Sequence, residues 1–115
     1  MSAGLDLSEK DQRVGRDILR ASAPPEAIVW AFGSRTTGRA RRYSDLDLAI
    51  DAGRQLTIRD MALLQEAFDE SELSYRVDIV DWRTLDDAFR RRIAGELVAF
   101  VGAPDDGPDP AAPQE

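Results

Sequence analysis

The stretch AIVWAFGSRTTGRARRYSDLDLAID, residues 27–51, contains two segments with different hydrophobic patterns. Residues 27–32 are continuously apolar, which predicts a short central strand covered on both faces. Residues 44–51 alternate, which predicts a strand with one apolar and one acidic face. The apolar face is Leu46, Leu48 and Ile50, and the acidic face is Asp45, Asp47, Ala49 and Asp51. Gly33-Ser34 directly follows the first segment, and an arginine-rich loop leads to the second.

Outside this stretch, hydrophobic periodicity predicts three helices and two further strands. Ser8 with Asp11 resembles an N-cap pair, and the helix that follows extends to about Ala21. Thr57 with Asp60 opens the second helix. Its predicted buried stripe is Ile58, Met61, Leu64, Ala67 and Phe68. The remaining elements are a strand over residues 72–80, a helix from Thr84 to about Arg92, and a run over residues 97–101, which is an edge strand or the end of that helix, with the strand favoured.

This order of elements predicts an α/β (α+β) fold, with a mixed sheet of about four strands flanked by helices. Some connections are too short for an all-parallel sheet. The chain has 115 residues, 43% of them hydrophobic, which is enough for one domain with its own core. We assign that domain to residues 1–102. Residues 103–115 are acidic and rich in proline, and they predict a disordered tail.

Composition excludes several kinds of chemistry. Cysteine and histidine are both absent, so the chain has no disulfides, cysteine nucleophiles, Ser-His-Asp triads or histidine-bound zinc. The net charge of −7 argues against direct nucleic-acid binding. Neither a long apolar segment nor a secretory leader is present in the sequence, so we expect a cytoplasmic protein without membrane association.

Three aspartates form the strongest chemical pattern in the chain. Asp45 and Asp47 project from the same face of one strand, where two unpaired carboxylates repel each other and favour a divalent cation. Asp78 lies in an apolar segment, where an ionised carboxylate needs a partner. It is therefore the favoured third ligand of a two-metal site. Asp81 has the opposite strand parity and suits a strand-end or capping role, and Asp51 lies too far along its strand.

Gly33-Ser34 provides a turn that suits a phosphate group. Glycine permits a close backbone approach, and exposed amide groups at such a turn bind anions. The loop that follows has four arginines with which to neutralise a triphosphate. These are Arg35, Arg39, Arg41 and Arg42. A metal site beside a phosphate-binding turn predicts nucleotide chemistry.

Gly33-Ser34, ten further residues and Asp45-Leu46-Asp47 match the GS-x10-D-x-D signature of the DNA polymerase β-like nucleotidyltransferase superfamily. The fuller pattern, with Asp78 as third carboxylate, resembles the minimal nucleotidyltransferases (MNT). The resemblance covers roughly residues 10–101. It implies a polymerase β-like core and the antitoxin half of a HEPN/MNT toxin–antitoxin module. Such a protein transfers AMP from ATP to a tyrosine of its HEPN toxin partner.

The same resemblance implies a role for each matching residue. Two Mg²⁺ ions would be held by the three aspartates, with Asp78 also helping to activate the attacking hydroxyl. The triphosphate would be held by Gly33 and Ser34. The composition of the loop adds Arg35 and Arg42 as candidate phosphate-binding residues. The choice of ATP rests on the resemblance alone. The acceptor would be brought by another chain or recognised by a homo- or hetero-oligomer.

Other interpretations of these residues stay open. Asp45 and Asp47 could form a solvated strand face, and Asp78 could be paired with Arg76. The arginine loop could be merely solvated. Two alternative functions are also compatible with the sequence. One is a non-catalytic antitoxin that neutralises its partner by contact. The other is a catalytic subunit that transfers a nucleotide to a small molecule or nucleic acid with a separate acceptor-binding chain.

Overall fold

A four-stranded sheet in the order β3-β2-β1-β4 organises the part of the chain that the computed structural model describes, residues 4–102. Strands β1 and β2 are antiparallel, β1 and β4 are antiparallel, and β2 and β3 are parallel. The predicted mixed sheet flanked by helices is thus confirmed. The elements are α1 (Glu9–Ser22), β1 (Ile28–Phe32), α2 (Ser34–Thr37), β2 (Leu46–Asp51), α3 (Ile58–Asp69), β3 (Val77–Asp81), α4 (Asp87–Ile93) and β4 (Val98–Val101).

The main core lies between one face of the sheet and helices α1 and α3. Leu19 of α1 and Leu64 and Phe68 of α3 pack there against buried strand residues such as Leu48 and Ile50. This face has the leucines and isoleucine predicted for the apolar side of β2. Burial of these side chains removes apolar surface from water and is the main stabilising contribution to the layer.

A second, smaller core covers part of the opposite face. It consists of Phe32, Ala49, Trp82 and Ile93, with Phe89 of α4 packed edge-on against Phe32. The predicted acidic face of β2 thus includes a fully buried residue, Ala49. The covering elements are α4 and a 3-10 turn at Trp82–Thr84, which lie far from β2 in sequence. Local alternation could not reveal this second layer.

Side-chain caps define the beginnings of α1 and α3. The Ser8 hydroxyl accepts a hydrogen bond from the Asp11 amide at 3.0 Å. Thr57 and Asp60 form a reciprocal capping box. Ile58 is the error in the predicted α3 stripe, because its side chain is 90% exposed. It is the first residue of the helix, where the side chain leans towards the N-terminus and beyond the packed turns.

Several element boundaries differ from the sequence prediction. Strand β2 begins at Leu46 and not at residue 44, so Asp45 lies just before it. Strand β3 begins at Val77, not at residue 72, because Leu73 and Tyr75 pack on the core from the preceding turn. Helix α4 begins at Asp87, with Asp86 as N-cap, because the segment before it forms the 3-10 turn. The run over residues 97–101 is an edge strand, as favoured: β4 pairs with β1.

The predicted tail, residues 103–115, lies outside the described residues. Within residues 4–102, every helix is too short or too polar to cross a lipid bilayer.

Candidate active site

Strand pairing places Asp47 and Asp78 side by side. The two residues are directly opposite each other in the parallel β2–β3 pair, so their side chains project from the same face of the sheet. Neighbouring strands lie about 4.8 Å apart, which sets the scale of this approach. Asp45 is exposed and lies two residues before Asp47, just outside β2. The sheet thus brings together residues that are thirty-one positions apart in the sequence.

Gly33 lies directly against the carboxylate of Asp47. Phe32 pairs with Asp47 across β1 and β2, so the next residue, Gly33, meets the Asp47 carboxylate. Gly33 has a φ of +85°, and a Cβ added there would overlap the Asp47 Oδ2 atom. Both facts require glycine at this position. Ser34 then begins α2.

The Asp47 carboxylate lies among like charges. Partial burial, followed by the nearby charges of Asp78, Asp45 and Glu96, raises the pKa of Asp47 from 3.8 to about 6. Desolvation and neighbouring anions both disfavour the charged form of a carboxylate. A bound cation would reverse the charge effect, and oxygen ligands suit Mg²⁺. The carboxylates here are thus of the chemical type that a divalent metal takes as ligands.

Glu96 is the site residue that the sequence analysis missed. It ends a 3-10 turn at Ala94–Glu96, just before β4. Its Oε1 atom accepts a hydrogen bond from the Gly33 amide at 3.0 Å, and its Oε2 atom lies 4.0 Å from Nη2 of Arg39. No alternating or capping pattern surrounds Glu96 in the sequence, so local inspection had no signal with which to find it.

Arg35 is placed differently from an exposed phosphate ligand. Its side chain is 6% exposed, and its guanidinium donates to the backbone carbonyls of Ser44, Asp6 and Arg42 at 3.0, 2.9 and 3.2 Å. The same guanidinium lies 4.0 Å from the centre of the Tyr75 ring. These contacts hold the loop between α2 and β2, and they use a donor on each of the three guanidinium nitrogens.

The other arginines of the loop are accessible to solvent. Arg42 is exposed, and its guanidinium lies over the exposed ring of Tyr43. Arg39 also extends from the surface, with its Nε atom donating to the Thr37 hydroxyl. Arg39 is thus connected to the site through its contact with Glu96. The buried guanidinium of Arg35 is bound instead to backbone carbonyls.

Asp78 has the partner that the alternative interpretation named. Its Oδ1 atom lies 3.0 Å from Nε of Arg76, in an ion pair that is largely exposed. Such a pair is weak and is readily exchanged for another cation. As the side chains stand, no three carboxylates within residues 4–102 are gathered closely enough to hold a metal ion.

Asp81 and Asp51, the two other aspartates that the sequence analysis considered, have structural roles. Asp81 caps the 3-10 turn through the Arg83 amide and also accepts the Leu56 amide at 2.7 Å. The capping role predicted for Asp81 is confirmed. Asp51 forms an ion pair of 2.9 Å with Arg83 at the opposite end of β2. Both residues therefore stabilise the fold away from the Gly33 turn.

Comparison with known proteins agrees with this arrangement. Residues 17–101 match the family described as polymerase beta, nucleotidyltransferase. The chain belongs to this nucleotidyltransferase family. The resemblance inferred from the GS-x10-D-x-D signature is thus confirmed. The nucleotidyltransferase is 44% identical over 91 residues to the probable protein adenylyltransferase MntA of Haemophilus influenzae, and the match covers 79% of each protein.

Solved structures share the fold of this nucleotidyltransferase. A chain from the crystal structure of a toxin–antitoxin with AMP-PNP has a TM-score of 0.69 at 24% identity, covering 86% of this chain and 77% of that chain. A chain from the complex of tri-AMPylated Shewanella oneidensis HEPN toxin with MNT antitoxin has a TM-score of 0.54 at 23% identity. That match covers 80% of this chain and 73% of the other.

Proposed function

We propose that this protein is an adenylyltransferase antitoxin that transfers AMP from ATP to a tyrosine hydroxyl of a partner HEPN toxin. The observation that carries the proposal is the juxtaposition of Asp47, Asp78 and the Gly33 turn in a chain that is 44% identical to MntA. The related complexes with AMP-PNP and with an AMPylated toxin support the same reaction. Such an antitoxin would act in the cytoplasm, where ATP is available.

Asp45, Asp47 and Asp78 are the residues that would hold Mg²⁺, with two ions as the expected number. Bound there, Mg²⁺ would neutralise charge on the phosphates and on the departing pyrophosphate. For Asp78 this requires release of its exposed ion pair with Arg76. The mutual repulsion around Asp47 supports this assignment, because the cluster gains from any bound cation.

The triphosphate would lie along the Gly33-Ser34 turn. Gly33 lets the backbone lie against Asp47, and the Ser34 hydroxyl and backbone amide at the start of α2 would donate to phosphate oxygens. Arg42 and Arg39 would supply positive charge from the rim of the loop. Arg35 would act one step removed, by fixing the path of the loop that carries Arg42.

In the proposed reaction the toxin's tyrosine oxygen attacks the α-phosphorus of ATP. The bond from that phosphorus to the oxygen bridging to the β-phosphate breaks, and pyrophosphate leaves with the bridging oxygen. The phenolic proton passes to Asp78, which is partly exposed at the edge strand β3 and can meet an acceptor from another chain. The carboxylates and phosphate-binding groups place the reactants in line for this displacement.

The test is incubation with ATP labelled at the α-phosphate, Mg²⁺ and a purified partner HEPN toxin. We expect label on a toxin tyrosine, identified by mass spectrometry, and loss of toxin ribonuclease activity. Asp47→Asn should abolish labelling, whereas Asp51→Asn, at the opposite end of the same strand, should retain it. Absence of label on a folded toxin, with an active MntA pair as control, would overturn the proposal.

A further inference from the structure

Glu96 joins the edge of the sheet to the phosphate turn. Its side chain is 24% exposed, and its Oε1 atom accepts the Gly33 amide at 3.0 Å. The two residues are 63 positions apart, so this contact is tertiary. Glu96 is held in place by its own backbone, because the turn Ala94–Glu96 leads directly into β4.

The Gly33 residue is held from both sides. Its amide donates to Glu96, while its carbonyl accepts from the Thr36 amide at 3.1 Å and from the hydroxyls of Thr36 and Thr37 at 3.1 and 3.0 Å. The carbonyl contacts are local, within the same turn. Only the Glu96 contact among these ties the turn to another element. Glycine has wide conformational freedom, so a fixed orientation here depends on such contacts.

A glutamate at this place has an electrostatic cost. Its negative charge lies near Asp47, which is already surrounded by two other aspartates. Part of this cost is offset by Arg39, 4.0 Å from the second Glu96 oxygen. A hydrogen bond from an amide to a carboxylate is stronger than one to a neutral acceptor. The carboxylate thus has a role that compensates for its unfavourable charge.

We propose that Glu96 is a positioning residue for the nucleotide. By holding the Gly33 amide, it orients the peptide that leads to Ser34 and sets the start of α2 where the triphosphate binds. Arg39 is held beside the same turn by the second carboxylate oxygen. This inference rests on the proposed function, since it assigns Glu96 to the phosphate side of that active site. Glu96 would act through its contacts with Gly33 and Arg39.

The test compares Glu96→Gln, Glu96→Asp and Glu96→Ala in the full chain, with Glu66→Ala on the exposed side of α3 as control. AMP-PNP binding is measured by calorimetry, AMP transfer by initial rates, and folding by thermal denaturation. Glutamine still offers an oxygen to Gly33, whereas aspartate is one methylene short and alanine offers nothing. We expect Glu96→Ala to weaken AMP-PNP binding and raise KM for ATP about tenfold, with kcat much less affected.

Glu96→Gln should restore binding to within about threefold of wild type, as expected for a retained acceptor. Glu96→Asp should resemble alanine. Wild-type affinity in Glu96→Ala, or equal loss in the glutamine and alanine variants, would overturn the inference. If Glu96→Ala does not fold, the aspartate and glutamine variants are compared instead. Equal affinity of these two variants for AMP-PNP would then overturn the inference. Wild-type protein that binds no AMP-PNP would instead refute the proposed function.

Discussion

At the scale of single residues, Asp47 is the carboxylate around which the other charges of the site are arranged. It contacts the Gly33 turn, faces Asp78 across the sheet and lies near the charges of Asp45 and Glu96. Its raised pKa means that the folded protein holds a proton there more tightly than the unfolded chain does. The carboxylates that suit a cation therefore destabilise the metal-free fold, as is common at functional sites.

Asp47 should give the metal-free protein a pH-dependent stability. Its folded pKa of about 6 exceeds the ordinary 3.8, so its contribution is fully present below about pH 4 and is lost as pH rises through 6. The full shift corresponds to about 3 kcal/mol, and partial exposure reduces the expected loss to about 1–2 kcal/mol. In urea unfolding with EDTA present, the free energy of unfolding of Asp47→Asn relative to wild type should rise by about 1–2 kcal/mol between pH 4 and pH 7. A gain that is the same at both pH values would contradict the prediction.

Gly33→Ala should be far more harmful than an alanine at a glycine of similar φ. Gly53 has a φ of +79°, close to the +85° of Gly33, but a Cβ at Gly53 meets nothing within 4 Å. Both variants bear the strain of a positive φ, which costs on the order of 1–3 kcal/mol. At Gly33 the ψ of −152° also lies in a region almost restricted to glycine. Only Gly33→Ala also displaces the Asp47 carboxylate, so it alone should reduce AMP transfer, by about 100-fold or more. Equal transfer rates in the two variants would show that the close approach is unimportant.

At the scale of elements, the loop between α2 and β2 is ordered by one buried guanidinium. Arg35 joins backbone carbonyls before α1, within the loop and at Ser44, and it stacks on the Tyr75 ring. A single side chain thus connects the N-terminal segment, the loop and the turn before β3. The loop that carries the exposed arginines depends on this connection for its shape.

Arg35→Ala should therefore act mainly on stability. Loss of three part-buried hydrogen bonds from a buried guanidinium is expected to lower the free energy of unfolding by about 2–4 kcal/mol. Arg42→Ala, at an exposed position in the same loop, should change it by less than about 0.5 kcal/mol and raise KM for ATP instead. Chemical denaturation and initial rates distinguish the two. An Arg35→Ala protein of wild-type stability with a raised KM would assign Arg35 to the triphosphate.

The capping box of α3 is a second test at this scale. Thr57→Ala removes the hydroxyl that accepts the Asp60 amide at 3.0 Å. Such a loss costs about 1 kcal/mol, because the amide is left without its partner at the helix end. The melting temperature should fall, while AMP transfer at 25 °C stays unchanged, because α3 lies on the opposite face of the sheet from Asp47. A large loss of transfer would show that α3 influences the site.

At the scale of the whole molecule, the two faces of the sheet have different roles. One face packs against the main core, and the other holds the smaller core and the candidate active site. Helices α1 and α3 cover the first face, and α4 with the Trp82–Thr84 turn covers part of the second. The uncovered part holds the carboxylates. This side of the sheet is therefore the one from which an acceptor on another chain can reach them.

The double variant Asp45→Asn/Asp47→Asn separates catalysis from contact. We expect it to bind the HEPN toxin with about wild-type affinity, since two neutral isosteres leave the surface shape unchanged. It should nevertheless fail to AMPylate the toxin or to restore growth of cells that express it. Restored growth without AMPylation would instead support the non-catalytic antitoxin.

Much of the fold followed from local pattern. The continuous apolar run of β1, the alternation of β2 and the caps at Ser8 and Thr57 identified their elements. The differences arose where tertiary packing overrode the pattern. Ala49 is buried by elements distant in sequence, and Ile58 lies beyond the packed part of its helix.

The sequence by itself determined the chemistry available to this protein: carboxylates without histidine or cysteine, and a glycine-serine turn at a set distance from Asp45 and Asp47. Those properties depend on residue identity and on spacing along the chain. Only the tertiary structure decided that Arg35 is a buried brace and that Glu96 holds Gly33. The physical reason is that burial and long-range hydrogen bonds depend on which elements pack together. The residues near Arg35 or Glu96 in the sequence do not show which distant elements will pack against them.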